Sequence, residues 1–286
     1  MKETVFIKKT IALAVLAAAL VFNVSAQGGQ DVDPAGVQGE ISMELSDFDD
    51  LTVEGISSFS IVQGEEYSVV LKGDRSYVES VVVGETENCL LLRSTEKAPV
   101  DALITVPGLS SLIVTDHSAG TISGYASSEA LSVNVLKGST LTAAGTLDVP
   151  RVAIYTGKNG RFEGAVQTEI LGVDTSADGE VALSGRADDF SAVLKAASVG
   201  DFRDLSVQTS RIISSGSSSV EAEFPGNSNT TLTASGSSSV SLTMNGPLRA
   251  TLSGDSTLKY SGEIIWMEKK INQKDRDDHA SFSPIR

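Results

Sequence analysis

From Ile41 onward the chain alternates apolar and polar residues in short runs. Examples are FSIVQGEEYSVVLKGD (59–74), VESVVVGETENCLLLR (78–93) and DALITVPGLSSLIV (101–114), punctuated by Gly, Asp and Pro. Successive side chains of a strand point to opposite faces, so period two between turn residues predicts strands that bury one side. No part of the body carries a sustained 3.6-residue stripe, and the pattern predicts almost no helix.

A longer period is superimposed on the alternation. Apolar residues recur at Ile122, Leu141, Phe162, Val181, Phe202, Val220, Val240 and Leu258, with steps of 19, 21, 19, 21, 18, 20 and 18. Eight residues before each stands another apolar residue: Val114, Val133, Ile154, Val173, Leu194, Ile212, Leu232 and Ala250. Two residues before each stands a small one: Gly120, Ser139, Gly160, Gly179, Gly200, Ser218, Ser238 and Ser256. A period near twenty predicts a solenoid, an all-β parallel β-helix whose strands pair with the coil above and below at ~4.8 Å. Seven such steps give a rod of roughly 34 Å. The apolar columns then point inward, and the Gly or Ser column marks corners where coils approach closely. The near-repeats SSGSSSVEAEF (214–224) and ASGSSSVSLTM (234–244) are such corners.

These features resemble a known family, the auto-transporter adhesin head GIN domain, also called the domain of unknown function 2807, common in exported proteins of Bacteroidetes. The resemblance is carried by FDDLTVEGISSFSIVQGEEYSVVLKGD (48–74), by DALITVPGLSSLIV and by the two Gly-Ser turns above. It implies a single-stranded, right-handed parallel β-helix, and the expected role is an exported, non-enzymatic binding or structural module of the envelope, adhesin-like in class. Two turns depart from the family pattern: TGKNGRFEG (156–164) carries Lys158 and Arg161, and KAASVGDFRDL (195–205) carries Asp201 and Arg203. They place charge where the family is neutral and are candidates for a partner site.

The N-terminus changes the expected location. Lys8 and Lys9, an apolar run over 11–22 and Val24-Ser25-Ala26 form a secretory signal over residues 1–26. The run is too short to span a bilayer comfortably, and Gln27 follows the cut, so no transmembrane segment is expected after cleavage. Residues 27–39 read as a flexible leader, 40–263 as the β-helix, and 264–286 as a C-terminal cap and charged tail, in which 264–267 form a last strand or cap with Trp266 plugging the core. The expected location is the periplasm or the cell surface.

Composition narrows the chemistry. Aromatics are only 5%, so the core must be built from Val, Leu, Ile and Ala. The net charge of -15 disfavours nucleic acid. Cys89 is the only cysteine, so no internal disulfide forms, and in ENCLLLR (87–93) it reads as a small buried hydrophobe. His117 lies in a turn and His279 in the tail, neither with a partner at recognisable spacing.

Parallel β-helices can process acidic polysaccharides, which requires clustered carboxylates and a nearby base. Asp174, Asp178, Glu180 and Asp201 with Lys195, Arg161 or Arg203 are the residues for that alternative, a lyase or hydrolase. Solvated outer charge explains them more simply, and no catalytic residue, metal or cofactor is expected. The residues assigned to binding are Arg161, Asp178, Asp201, Arg203, Ser217 and Ser237. The partner classes are an envelope protein, a glycan, or a second copy stacked on a coil end.

Overall fold

A strand with one buried face still needs a neighbour for its backbone on both sides, and the ~20-residue repeat supplies that neighbour from the next coil. The computed structural model describes residues 38–45, 47–86, 88–95, 99–272 and 279–285. The expected signal and all but the last two residues of the expected leader lie outside them. The chain forms a β-solenoid of about eight turns.

From Ser111 onward the coils are built on three faces, of which the last coil shows two among the described residues. The strand Arg161–Ser176 shows all of them: 161–163 on face 2, 165–168 on face 3 and 170–175 on face 1 of the next coil. It runs parallel to Glu180–Leu194, with Phe162 opposite Val181, Val166 opposite Gly185 and Val173 opposite Ala192. Inward Val, Leu, Ile and Phe from successive coils form one continuous core. Phe190, Phe202 and Phe224 pack edge-on along it, with centroids 4.9 and 6.2 Å apart.

The register corrects the expected columns in two coils. The face 2 ladder runs through Gly120, Leu141, Phe162, Val181, Gly200, Val220, Val240 and Leu258. Ile122 and Phe202 lie two residues beyond it. On face 1 the partners are Leu112 and Ala192 rather than Val114 and Leu194. A slip of two keeps the side chain inward, so the apolar pattern tolerates the error. Glycine is the physical cause: a Cβ on Gly120 would lie 2.4 Å from the Phe59 ring, and one on Gly200 2.8 Å from the Phe202 ring. At both coils an aromatic ring fills the volume that the ladder residue leaves.

The corner column is therefore Ser118, Ser139, Gly160, Gly179, Ser198, Ser218, Ser238 and Ser256, with steps of 21, 21, 19, 19, 20, 20 and 18. Hydrogen bonds of 2.9–3.0 Å join each member's carbonyl to the next coil, from Thr140 N to Ser118 O up to Ser281 N to Ser256 O. The six serines are buried. Their hydroxyls are satisfied by turn and neighbouring-coil backbone: Ser218 Oγ donates to Ser215 O (2.9 Å) and Ser256 Oγ to Ser253 O (2.8 Å). A Cβ on Gly160 would sit 1.9 Å from Val135 O, so that corner accepts no side chain.

The start of the solenoid departs from chain order. The coil of Asp50–Glu54 and Ser58–Gln63 lies between Cys89–Arg93 with Val100–Val106 on one side and Ser111–Thr115 with Ala119–Ile122 on the other. Antiparallel strands extend this end: Ser68–Asp74 beside Val100–Val106, Gln38–Glu44 beside Ser68–Asp74, and Val82–Glu85 beside Cys89–Arg93. One short helix, Arg75–Ser80, closes it. Asp74 caps its N-terminus by accepting from Ser76 N at 3.0 Å, and Val78 is buried.

At the other end the expected last strand is part of a further coil. Ile264–Asn272 continues face 1 and Ser281–Pro284 continues face 2, both parallel to their predecessors. Trp266 is no plug: it is 51% exposed, beside Pro247 and 6.0 Å from the Arg249 guanidinium carbon.

Candidate functional site

Face 2 and its turn edge carry all six residues assigned to binding. Flanking each inward ladder residue are two outward positions, and stacking turns them into two rows. One contains Thr140, Arg161, Glu180, Val199, Ser219, Ser239, Thr257 and Ser281. The other contains Thr121, Thr142, Glu163, Ala182, Asp201, Glu221, Ser241, Lys259 and Ser283. The face is hydroxyl-rich at both ends and charged in the middle.

The charged middle is internally paired. Arg161 reaches Glu180 at 3.3 Å. Relative to the preceding coil, one extra residue enters between Asp201 and Asp204, which leaves Phe202 inward and Arg203 exposed. Arg203 Nε donates to Asp201 Oδ1 at 2.9 Å, and its Nη1 lies 3.3 Å from Glu221 Oε2. Arg203's hydrogen bond holds the Asp201 carboxyl below its ordinary value despite partial burial, and the two carboxylates push the guanidinium upward.

Asp178, Ser217 and Ser237 lie on the adjoining turn edge. Asp178 is the second residue of a turn in which both residues are left-handed, with Ala177 at φ 50° and Asp178 at 60°. Ser217 and Ser237 follow Gly216 and Gly236, whose φ values are 71° and 68°. Ser237 N donates to Gly216 O at 2.7 Å, so backbone pairing runs through the turns as well as the strands.

The polysaccharide constellation is divided by this geometry. Asp174 and Lys195 pair at 3.2 Å on face 1, Glu180 and Asp201 stand on face 2, and Asp178 is on the turn between them. Closeness along successive coils does not place residues on one face, because each corner redirects the chain. Cys89 is half-buried rather than fully buried, and burial, then the Asp50 charge, raises its thiol. Among the described residues no group of three or more His, Cys, Asp or Glu is arranged to hold a metal. Among them, too, no helix is long and apolar enough to cross a membrane.

Sequence reasoning missed Glu163 and Glu221 on the face and the outward hydroxyl residues Thr140, Thr142, Ser241, Ser281 and Ser283. Their signal was present: each residue lies immediately before or after an inward ladder residue.

The profile of the family described as "Putative auto-transporter adhesin, head GIN domain" matches residues 47–223. The chain belongs to that family. Solved structures share the fold of this head GIN domain at low sequence identity. A protein described as a "putative adhesin" from Parabacteroides merdae is 13% identical with a TM-score of 0.65, over 88% of this chain and 98% of its own. One from Parabacteroides distasonis described as a "putative lipid binding protein" is 12% identical, with the same TM-score and coverage. A second "putative adhesin" from Parabacteroides distasonis is 13% identical with a TM-score of 0.63, again over 88% and 98%. No curated protein matches the chain.

Proposed function

We propose that this head GIN domain is an exported, non-enzymatic binding module of the cell envelope, adhesin-like in presenting face 2 to a protein or glycan partner. The observation that carries the reading is the pair of outward rows on that face: regularly spaced hydroxyls on either side of a paired Arg-carboxylate centre. Such a surface offers donors and acceptors at strand spacing to a repetitive or flat partner. The pairing of Arg161 with Glu180 and of Arg203 with Asp201 supports recognition over catalysis, because these charges meet a partner as a preformed polar surface. The adhesin names of the family and of two solved relatives support the same class. Residues 1–26 act as the export signal and 27–39 as a leader. Residues 40–263 form the binding rod, and 264–286 complete its C-terminal end.

The test is native affinity electrophoresis of the protein purified from its exporting cell, through gels containing bacterial or host polysaccharides and stained afterwards for intact polymer. Retardation without clearing, lost in Arg203→Ala, supports a glycan-binding face. Cleared zones overturn the non-enzymatic reading. Unchanged mobility across the panel assigns the face to a protein partner, to be sought by crosslinking from a residue of the Ser219 row.

A further inference from the structure

The last coil is the one place where the rod leaves a long parallel strand unpaired on its outer side among the described residues. Ile264–Asn272 pairs only with Ser239–Ser253, and an edge of this kind is a template for another strand. The same coil is unusually apolar. Of the nine large hydrophobic residues exposed among the described residues, four belong to it: Ile265, Trp266, Ile271 and Ile285. An open hollow of about 380 Å³, lined by Tyr260, Ile264, Met267, Pro284 and Ile285, lies beside them.

Lys269 occupies an inward position, opposite Ala250. Its ammonium folds back over its own molecule: Nζ donates to the Tyr260 hydroxyl at 2.7 Å and lies 4.6 and 5.2 Å from the Tyr260 and Phe282 ring centres. An inward charge ordinarily guards an edge against pairing. Here the ammonium has partners within its own chain.

We propose that two copies of this chain join end to end through antiparallel pairing of Ile264–Asn272 about a two-fold axis at Lys269. Antiparallel partners share a face, so only registers that set inward against inward and outward against outward residues are open to a self-pair. Centred on Glu268, the pairing opposes two carboxylates; centred on Lys270, it opposes two exposed ammoniums. Centred on Met267, it sets no opposite charges against each other. Centred on Lys269, it sets Glu268 against Lys270 of the second copy twice, and Met267 against Ile271 of the second copy twice on the inward side. Each Lys269 ammonium stays over its own Tyr260. The other end of the rod is turned by antiparallel strands and a helix, so a symmetric joint stops at two copies.

Sedimentation velocity and light scattering over a concentration series, on protein purified from its exporting cell, test the joint. The expected result is a reversible dimer. Lys270→Glu, an exposed outward change, raises the dissociation constant about tenfold or more, with an unchanged melting curve at dilutions where both proteins are monomers. The double charge swap Glu268→Lys with Lys270→Glu restores dimerisation. A wild-type protein that stays monomeric overturns the proposal. So does a dimer indifferent to Lys270→Glu, which uses another surface. Growth into higher oligomers overturns it in favour of head-to-tail stacking.

Discussion

At the scale of single residues the rod stores its strain in the turns between faces 1 and 2. Among the described residues nine other than glycine are left-handed, and the pair Ala196 and Ala197, at φ 49° and 54°, has neither the local hydrogen bonding of Asn or Asp nor the freedom of Gly. A left-handed alanine costs ~1–2 kcal/mol, part of which glycine returns to the unfolded chain. Ala197→Gly is expected to stabilise the fold by about 0.5–1 kcal/mol, read as a higher urea midpoint at constant slope. Gly160 works in the opposite sense. With backbone 1.9 Å from the site of an added Cβ, Gly160→Ala should cost at least ~1–3 kcal/mol in the same measurement.

Asp201 gives a pH test. Its folded carboxyl titrates below the unfolded value of about 3.9, so its contribution is present above that pH and is lost as pH falls through the folded value. Asp201→Asn should therefore lower the urea midpoint slightly at neutral pH, and the difference should vanish in strong acid. An equal difference at both pH values would mean that packing, not charge, accounts for the effect.

At the scale of the element, the coil is a ladder whose rungs differ in which residue fills them. Phe202 is fully buried between Phe190 and the next coil, so Phe202→Ala is expected to cost ~3–5 kcal/mol, measured as a loss of unfolding free energy. The same residue shows how far the sequence could be read. Its apolar character and distance from Val181 and Val220 made it look like a rung, and its inward direction was legible. Its height was not, because a two-residue slip preserves the face, and only the missing Cβ of Gly200 reveals that the ring fills another residue's place. Ser218 and Ser238 were legible as corners from their repeat, but their burial was not, since serine at a bend is equally at home in water. On face 2 the charged residues were legible as departures from a Gly-Ser theme. Their mutual pairing depended on register, and so did the separation of Asp174 from Glu180.

At the scale of the whole molecule, a stack in which each coil touches only its neighbours opens from its ends. Native hydrogen exchange should find the slowest amides in 152–240 and faster ones in the edge strand Gln38–Glu44. Uniform protection along the rod would mean that the coils open as one unit. The all-β class and the coil length were readable because both are periodic. The reversed order of the first coils was not, because alternation tells which way a side chain points and nothing about which strand lies beside it.

That reversed order sets a timetable for the nascent chain. The coil over 50–63 borders 89–106 on one side and 111–122 on the other, so neither flank exists when it leaves the ribosome. Closing those long loops carries the entropy cost of folding at the outset. Every later coil needs only the one made just before it. Synthesis of this rod thus has a long silent opening, followed by growth one coil at a time, and a chain interrupted before Cys89 has no paired coil on which to begin.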